Sequence, residues 1–540
     1  MRALRSALRC SPRPRTCRAI RRHDDPLRRT HDHRYRIDSR SRPPRGIRRP
    51  PQTGSTGLTS GETRVIWLLL AAAFVAILNE TTMGIAIPHL IGDLGITADA
   101  AQWITTAFML TMAVVIPITG FLLKRFTTRQ IFIAAMTLFS AGTLIAMLAP
   151  GFPVLLVARV VQASGTAIMM PLLMTTLMTV VPPHARGRMM GRVSIVMALA
   201  PAIGPTLSGL LLDTVGWRWI FGVVLPIALF SLAAGAKWIQ NLGETTHAPI
   251  DVLSVILSAF GFGGIVYGLS QIGGAAAHGA AGAASDVGNG AVVGLIVSLS
   301  IGLVALGLFL WRQVLLQRVD DALLDLRVFR SRNFSLSVAQ LALMSLAFFG
   351  AITVLPLYMQ NVLEFTALDA GLAVLPGSLL MGLLGPVIGR IYDARGTQIL
   401  LVPGAIIVVG MLWFYTTFGE NTSIWLVAGA QTILSIGLAL SFTPLFTAAL
   451  GSLEPRFYSY GSAVVGTVQQ VAGAAGVALM ITVMSAVQTR AEASGASALT
   501  AGTLGAQAAF TIAAVIAIPL IVGAVLIRKP ADSIGAPPAH

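Results

Sequence analysis

Phe74-Val-Ala-Ile-Leu-Asn79-Glu80-Thr-Thr-Met-Gly-Ile-Ala-Ile-Pro88 sits inside an apolar run from Val65 to about Leu90. A run of that length crosses a bilayer as one helix, since a span needs about 20 apolar residues. Asn79 and Glu80 fall in its middle. A carboxylate at such depth costs roughly 2.5–3.5 kcal/mol on insertion scales and marks function by default. Glu80 is also the only acidic residue well inside a hydrophobic segment of this chain. A helix shifted along its axis would leave Glu80 among lipid headgroups with no special role. Its mid-run position favours the other reading, a protonatable switch.

The rest of the composition fits that span. Hydrophobic residues make up 55%, charged residues 11%, and the mean hydropathy is +0.77, far from the balance of a soluble globule. A polytopic all-α membrane protein follows. The net charge of +16 is not spread over it, because residues 1–64 carry 18 of the 38 Lys and Arg and 5 of the 22 acids. The remainder is nearly neutral, which argues against a nucleic-acid partner. That tail is Arg-rich and Pro-dotted without an apolar run, so it is expected to be disordered, and it lacks the apolar core of a secretory signal. Cys10 and Cys17 lie in it at a spacing that supports neither a disulfide framework nor a zinc site. The true translation start is expected near 58–65, with no function in the tail.

Hydrophobic runs bounded by charge, Pro or Gly predict fourteen spans, near 65–90, 101–122, 129–148, 153–180, 189–212, 218–239, 250–270, 291–313, 334–358, 368–390, 398–417, 423–449, 461–486 and 507–527. With the N-terminus inside, the inward loops hold 17 Lys and Arg residues and the outward loops hold two, Arg218 and Arg490. This is the positive-inside pattern, and the even count puts both termini in the cytoplasm. An internal repeat accompanies it: Pro117 and Gly120 recur as Pro386 and Gly389, and Gly204 as Gly473, all at an offset of 269. The organisation read from this is a tail at 1–64, a six-helix half at 65–239, two inserted helices at 240–313, a second six-helix half at 314–527 and a cytoplasmic tail at 528–540. Gln271–Gly290, rich in Gly and Ala, is expected to be a flexible connection. Paired repeats around a midplane site are the plan of secondary transporters.

Three local motifs carry chemistry. Gly120-Phe-Leu-Leu-Lys124-Arg125-Phe-Thr-Thr-Arg129 follows the second span, and its repeat partner Gly389-Arg390-Ile-Tyr-Asp393-Ala-Arg395 adds an acid suited to guanidinium groups or a helix N-terminus. Arg159-Val-Val-Gln162-Ala-Ser-Gly165 places an arginine inside the fourth span. Glu80 lies about 22 Å up its helix and Arg159 about 9 Å down from the other side, similar heights in a core of roughly 30 Å. Ala200-Pro201-Ala-Ile-Gly204-Pro205-Thr-Leu-Ser208-Gly209 in the fifth span combines ladder-breaking prolines with small residues that let helices approach.

Together these residues resemble the major facilitator superfamily, and within it the fourteen-span drug:proton antiporters. Gly120–Arg129 is similar to the loop signature after span two, Arg159–Gly165 to that of span four, and Ala200–Gly209 to the antiporter signature of span five. Asn79-Glu80 resembles the subgroup with Asn-Glu in span one. Trp217 to Phe221 with Pro226 resembles the opening of span six, and Leu355 to Gln360 with Gly371 to Pro376 the ninth-to-tenth region. Lys124 stands where many relatives carry Asp, and Ser208 where they carry Gly. Thr127-Thr128 replace a Gly-containing turn, and Gly84 and Val224 stand where close relatives often show Asn. The resemblance implies proton-driven export of amphipathic or cationic compounds, with Glu80 and Arg159 as the coupling pair. Asn79, Gln162, Trp103 and Tyr358 are the expected cavity residues. Gly120, Arg125, Arg129, Pro201, Gly204, Pro205, Gly209, Gly389 and Asp393 are the expected gating and structural positions.

Coupling through a carboxylate has a physical basis, because desolvation and a neighbouring arginine act oppositely on its proton and a cavity that opens or fills shifts the balance. No Walker-type Gly-x-x-x-x-Gly-Lys exists and the chain has only three lysines, so ATP drive from this polypeptide is excluded. His89, His184, His247 and His278 are isolated, which argues against an enzyme and a metal site. The expectation is a monomer in the bacterial cytoplasmic membrane, using the proton motive force and no cofactor, whose partners are lipid and small amphipathic molecules. An exporter of one metabolite, an importer or a transporter-like sensor would share the architecture.

Overall fold

The computed structural model describes residues 59–96, 98–241, 251–279, 288–319 and 321–529. Residues 1–58 of the expected tail, with Cys10 and Cys17, and residues 530–540 of the C-terminal tail lie outside the described residues; residues 60–64, expected to be disordered, belong to α1. Long helices are α1 (Ser60–Leu94), α2 (Ala98–Arg125), α3 (Thr128–Met147), α4 (Phe152–Val180), α5 (Arg186–Thr214), α6 (Arg218–Trp238), α7 (Val252–Gly279), α8 (Gly288–Leu316), α9 (Arg332–Asn361), α10 (Ala367–Arg395), α11 (Gln398–Tyr415), α12 (Ile424–Gly451), α13 (Tyr458–Ala493) and α14 (Ala498–Ala517), with a short α15 (Pro519–Leu526). They supply fourteen candidate spans, α14 and α15 together making the last. Pro519 opens α15, where its missing N–H costs nothing.

Helix starts follow local chemistry. Thr59 caps α1 and Glu62 returns the bond, Thr127 and Gln130 do the same for α3, and Thr366 and Asp369 for α10. Gly95 ends α1 at φ 60°, a left-handed conformation that glycine adopts without strain. Spans are longer than expected at several ends: α1 begins at Ser60 instead of Val65, and the last span begins at Ala498 instead of 507. The expected flexible connection at 271–290 is partly helical, since α7 runs to Gly279 and α8 starts at Gly288. Alanine is the best helix former, and an Ala-rich stretch extends an existing helix more readily than it breaks one. Residues 280–287 of that connection lie outside the described residues.

The sequence repeat has a counterpart in the packing. α1 packs on α4, α5 and α6, and α9 packs on α12, α13 and α14; α3 joins α4 and α6 as α11 joins α12 and α14. Between the two sets, α5 meets α10 and α13 meets α2, which are also repeat-related pairings. α7 packs on α8 and against both α2 and α13. At their ends Arg312 donates twice to Asp251, at 2.6 and 2.8 Å, and Ser254 Oγ donates to the same carboxylate.

The helix ends bearing Lys124, Arg186, Arg390 and Arg395 share one face, called the basic face below. Contacts between the two sets of helices concentrate there. Gly187 and Gly191 of α5 lie against Gly385 and Gly389 of α10 so closely that a Cβ on Gly191 or Gly389 would collide with the facing backbone carbonyl. Thr175 and Ser462 lie 2.8 Å apart across α4 and α13, and Ser194 and Thr443 lie 2.6 Å apart across α5 and α12. Near mid-height the amide of Gln470 reaches Met112 Sδ at 3.8 Å.

Candidate functional site

Four helices meet around Arg159. Its Nη1 donates to Gln162 Oε1 at 2.6 Å, and its guanidinium lies 4.1 Å from the Phe108 ring of α2. Gln162 Nε2 donates in turn to Asn79 Oδ1 of α1 at 3.1 Å and to Thr143 Oγ1 of α3 at 2.7 Å. Arg159, Gln162, Asn79 and Thr143 are all buried. Such a network tolerates burial because donors meet acceptors, and a desolvated cation over an aromatic face gains about 2 kcal/mol. Close helix approach makes it possible: a Cβ on Gly142 would fall 2.5 Å from Gln162 N, and one on Gly165 would hit the Ala135 carbonyl.

The network leaves two donors unmet. Arg159 Nε and Asn79 Nδ2 are buried without hydrogen-bond partners among the described residues. Glu80, half-buried and next to Asn79 in the chain, forms no ion pair among the described residues, although its charge and that of Arg159 act on each other. The sequence-expected pair therefore shares a site without a direct contact. Arg159 rests instead on Gln162 and Phe108. Glu80, Arg159 Nε and Asn79 Nδ2 are thus the polar groups of this cluster left without a partner among the described residues.

α5 touches the same helix one turn on. Ser208 Oγ donates to Thr82 O at 2.8 Å, and a Cβ on Gly204 would run into Thr81 Oγ1. Ser208, a departure from the family pattern, thus adds a bond between α5 and α1. Gly209 differs from the expected close approach, since among the described residues no atom of another helix lies within 4 Å of where its Cβ would be. α5 continues as helix from Arg186 to Thr214 through Pro201 and Pro205.

Trp103 and Tyr358 are placed away from this cluster. The Trp103 ring lies 5.6 Å from Tyr267 of α7, on the flank of α2 that faces the inserted pair. Tyr358 is 2% exposed; its hydroxyl donates to Gly419 O at 2.6 Å and its ring stacks on Phe418 at 6.0 Å, inside an aromatic cluster with Phe510. Periodicity assigns neither ring to a neighbour, so neither position was separable from a cavity wall by sequence. Thr143, Phe108 and Gly142 were missed. Thr143 is a polar residue in an apolar helix, a usable signal, whereas Phe108 carries none.

The repeat-related loops form a second constellation at the basic face. Asp393 accepts from the backbone N–H groups of Gly187 and Arg188, each at 2.8 Å, and so caps the start of α5 with a carboxylate. Arg186 Nη2 donates to Tyr458 OH of α13 at 3.0 Å. Lys124, 269 positions before Asp393, instead sits 5.1 Å from the Tyr460 ring, while Gly120 lies against Ser459 and Ala463. Arg125 lies 5.8 Å from the Phe126 ring, and Arg129 donates to Ala236 O at the end of α6 at 2.6 Å, within its own half.

Residues 69–477 match the family model described as Major Facilitator Superfamily. The chain belongs to that superfamily, and it is a multi-pass membrane transporter. It is 40% identical over 466 residues to an uncharacterised MFS-type transporter of Bacillus subtilis, YcnB, covering 86% of this chain and 95% of that one. It is 39% identical to the lincomycin resistance protein LmrB of Listeria monocytogenes, over 86% of this chain and 96% of the relative. The multidrug export protein EmrB of Haemophilus influenzae is 29% identical over 76% of this chain and 78% of its own. Among solved structures, the human organic anion transporter MFSD10 superposes with a TM-score of 0.58 at 14% identity, covering 86% of this chain and 99% of that one, a likeness of fold.

Proposed function

We propose that the protein exports amphipathic or cationic compounds from a bacterial cytoplasm in exchange for protons, with Glu80 as the proton carrier and the basic face turned to the cytoplasm. The observation that carries this reading is the Glu80 carboxylate, without an ion-pair partner among the described residues, next in the chain to Asn79 of a buried Arg159–Gln162–Asn79 network. Protonated, Glu80 is a neutral group in an apolar helix; deprotonated, it attracts a cation and the unmet donors of Arg159 and Asn79. Substrate and proton then compete for one site, and α5, joined to α1 through Gly204 and Ser208, moves with the outcome. Relatives named for lincomycin resistance and multidrug export support an exporter over an importer or a sensor.

Glu80→Gln keeps the size of the side chain and removes the titrating proton. Efflux of a fluorescent cation such as ethidium, driven by an imposed pH gradient in inverted vesicles, is expected to fall to background with membrane abundance unchanged. Proton release on adding that cation to detergent-purified protein is expected to vanish with it. Wild-type efflux and wild-type proton release by Glu80→Gln would remove Glu80 from the mechanism.

A further inference from the structure

A cavity of about 1030 Å³ opens on the basic face, well away from Glu80. Its walls come from both sets of helices: the α4–α5 connection on one side, and the start of α9, the end of α12 and the end of α15 on the other. Four cations line it, Arg186, Arg332, Arg528 and Lys529. Arg186 is fixed at the back, donating to Val181 O, Met178 O and Tyr458 OH. Lys529 is tethered through Nζ to Asp393 O at 2.7 Å, and the Arg528 N–H donates to Asn333 Oδ1 at 3.1 Å.

Arg332 and Arg528, unlike Lys529 beside Asp393, lack an anion among the described residues. The one lining carboxylate, Glu454, is paired with Arg456 at 2.8 Å. Among the described residues no acid pairs with the exposed side chains of Arg332 or Arg528. Guanidinium forks match the oxygens of a phosphate, and basic pockets at helix ends recognise acidic headgroups. Exposed Val525 and Leu526, at the end of the last span, form an apolar rim where acyl chains begin. Positive-inside anchoring alone requires no concavity. Arg318 and Arg330, exposed and outside the cavity, show that simpler arrangement.

We propose that this cavity binds the phosphate headgroup of an acidic phospholipid, gripped by Arg332 and Arg528 against a back wall of Arg186 and Lys529. Because the walls belong to both sets of helices, the lipid bridges them while the basic face is closed.

The test is the unfolding temperature of the full-length protein in neutral detergent, with phosphatidylglycerol, phosphatidylcholine or inorganic phosphate added. Phosphatidylglycerol is expected to raise it by roughly 2 °C, as binding to the folded state requires, and the other two to leave it unchanged. Arg332→Gln with Arg528→Gln should abolish the shift. Arg318→Gln with Arg330→Gln, an equal charge loss on the same face, should keep it. If the glutamine pair folds poorly, Arg332→Lys with Arg528→Lys keeps the charge, loses the forks and is expected to lose most of the shift. Equal shifts with phosphatidylcholine, or equal losses in the two glutamine pairs, would overturn the site. An equal shift with inorganic phosphate would overturn the lipid as its occupant.

Discussion

Gly142 and Gly209 are both helical glycines in apolar spans, yet a methyl group has opposite consequences at the two. At Gly142 it would meet the backbone of Gln162 and push α3 off the hub of the buried network. Gly142→Ala is therefore expected to destabilise the protein by about 1–3 kcal/mol, read as a lower unfolding temperature in detergent. Gly209→Ala meets nothing and relieves the entropic cost of glycine, so it should be neutral or stabilising by about 0.5–1 kcal/mol. A comparable loss at both positions would mean that the α3–α4 crossing is looser than described. The same reasoning separates Glu80 from Arg159: each was legible as an intramembrane charge, but the choice of Gln162 and Phe108 as partners of Arg159 depends on two neighbouring helices.

At the level of elements, the repeat-related loops differ in sign and so in what they do. Asp393 holds the N-terminus of α5, where a carboxylate meets two N–H groups and the positive end of the helix dipole. Lys124 could not serve that role at the start of α13, and it rests on the Tyr460 ring instead. Asp393→Asn should weaken closure of the basic face, while Lys124→Gln should affect it less. A cysteine at Ser194, buried against Thr443, reports this once Cys10 and Cys17 are replaced by Ser. Its labelling by a maleimide is expected to quicken in Asp393→Asn; unchanged labelling would show that the glycine contacts alone keep the face shut. The pin between α7 and α8 is insensitive to ordinary pH. Its hydrogen bond from Arg312 holds the Asp251 carboxyl down at about 2. With the folded value below the unfolded one of about 3.9, the stabilisation is complete above that value and lost only as pH falls through about 2. Acid titration of an Asp251→Asn variant against the parent, followed by unfolding temperature, should converge only in that range.

For the whole molecule, the arrangement is closed on the basic face, with the bonds between the two sets of helices running from that face to mid-height. The excess of Lys and Arg in alternate loops predicts the topology. Reporter fusions after Gln317 and Arg395 should report the cytoplasm, and fusions after Gly151 and Asn421 the exterior. An inversion between consecutive sites would break the orientation proposed for the transporter.

Span number and the internal repeat were readable from sequence because both are one-dimensional. A bilayer demands about 20 apolar residues in a row, and a duplicated half repeats its Gly and Pro at a fixed offset. The Glu80 signal is of the same kind, since a charge in an apolar run is visible without knowing any neighbour. Tertiary structure alone decided that Glu80 and Arg159 form no ion pair, that Tyr358 and Trp103 pack elsewhere, and that Gly204 touches α1 while Gly209 meets no other helix among the described residues. Each depends on how a helix is rotated about its axis against several others. Near-uniform hydrophobicity in these spans leaves no periodic stripe from which that rotation could be read, so side-chain packing sets it.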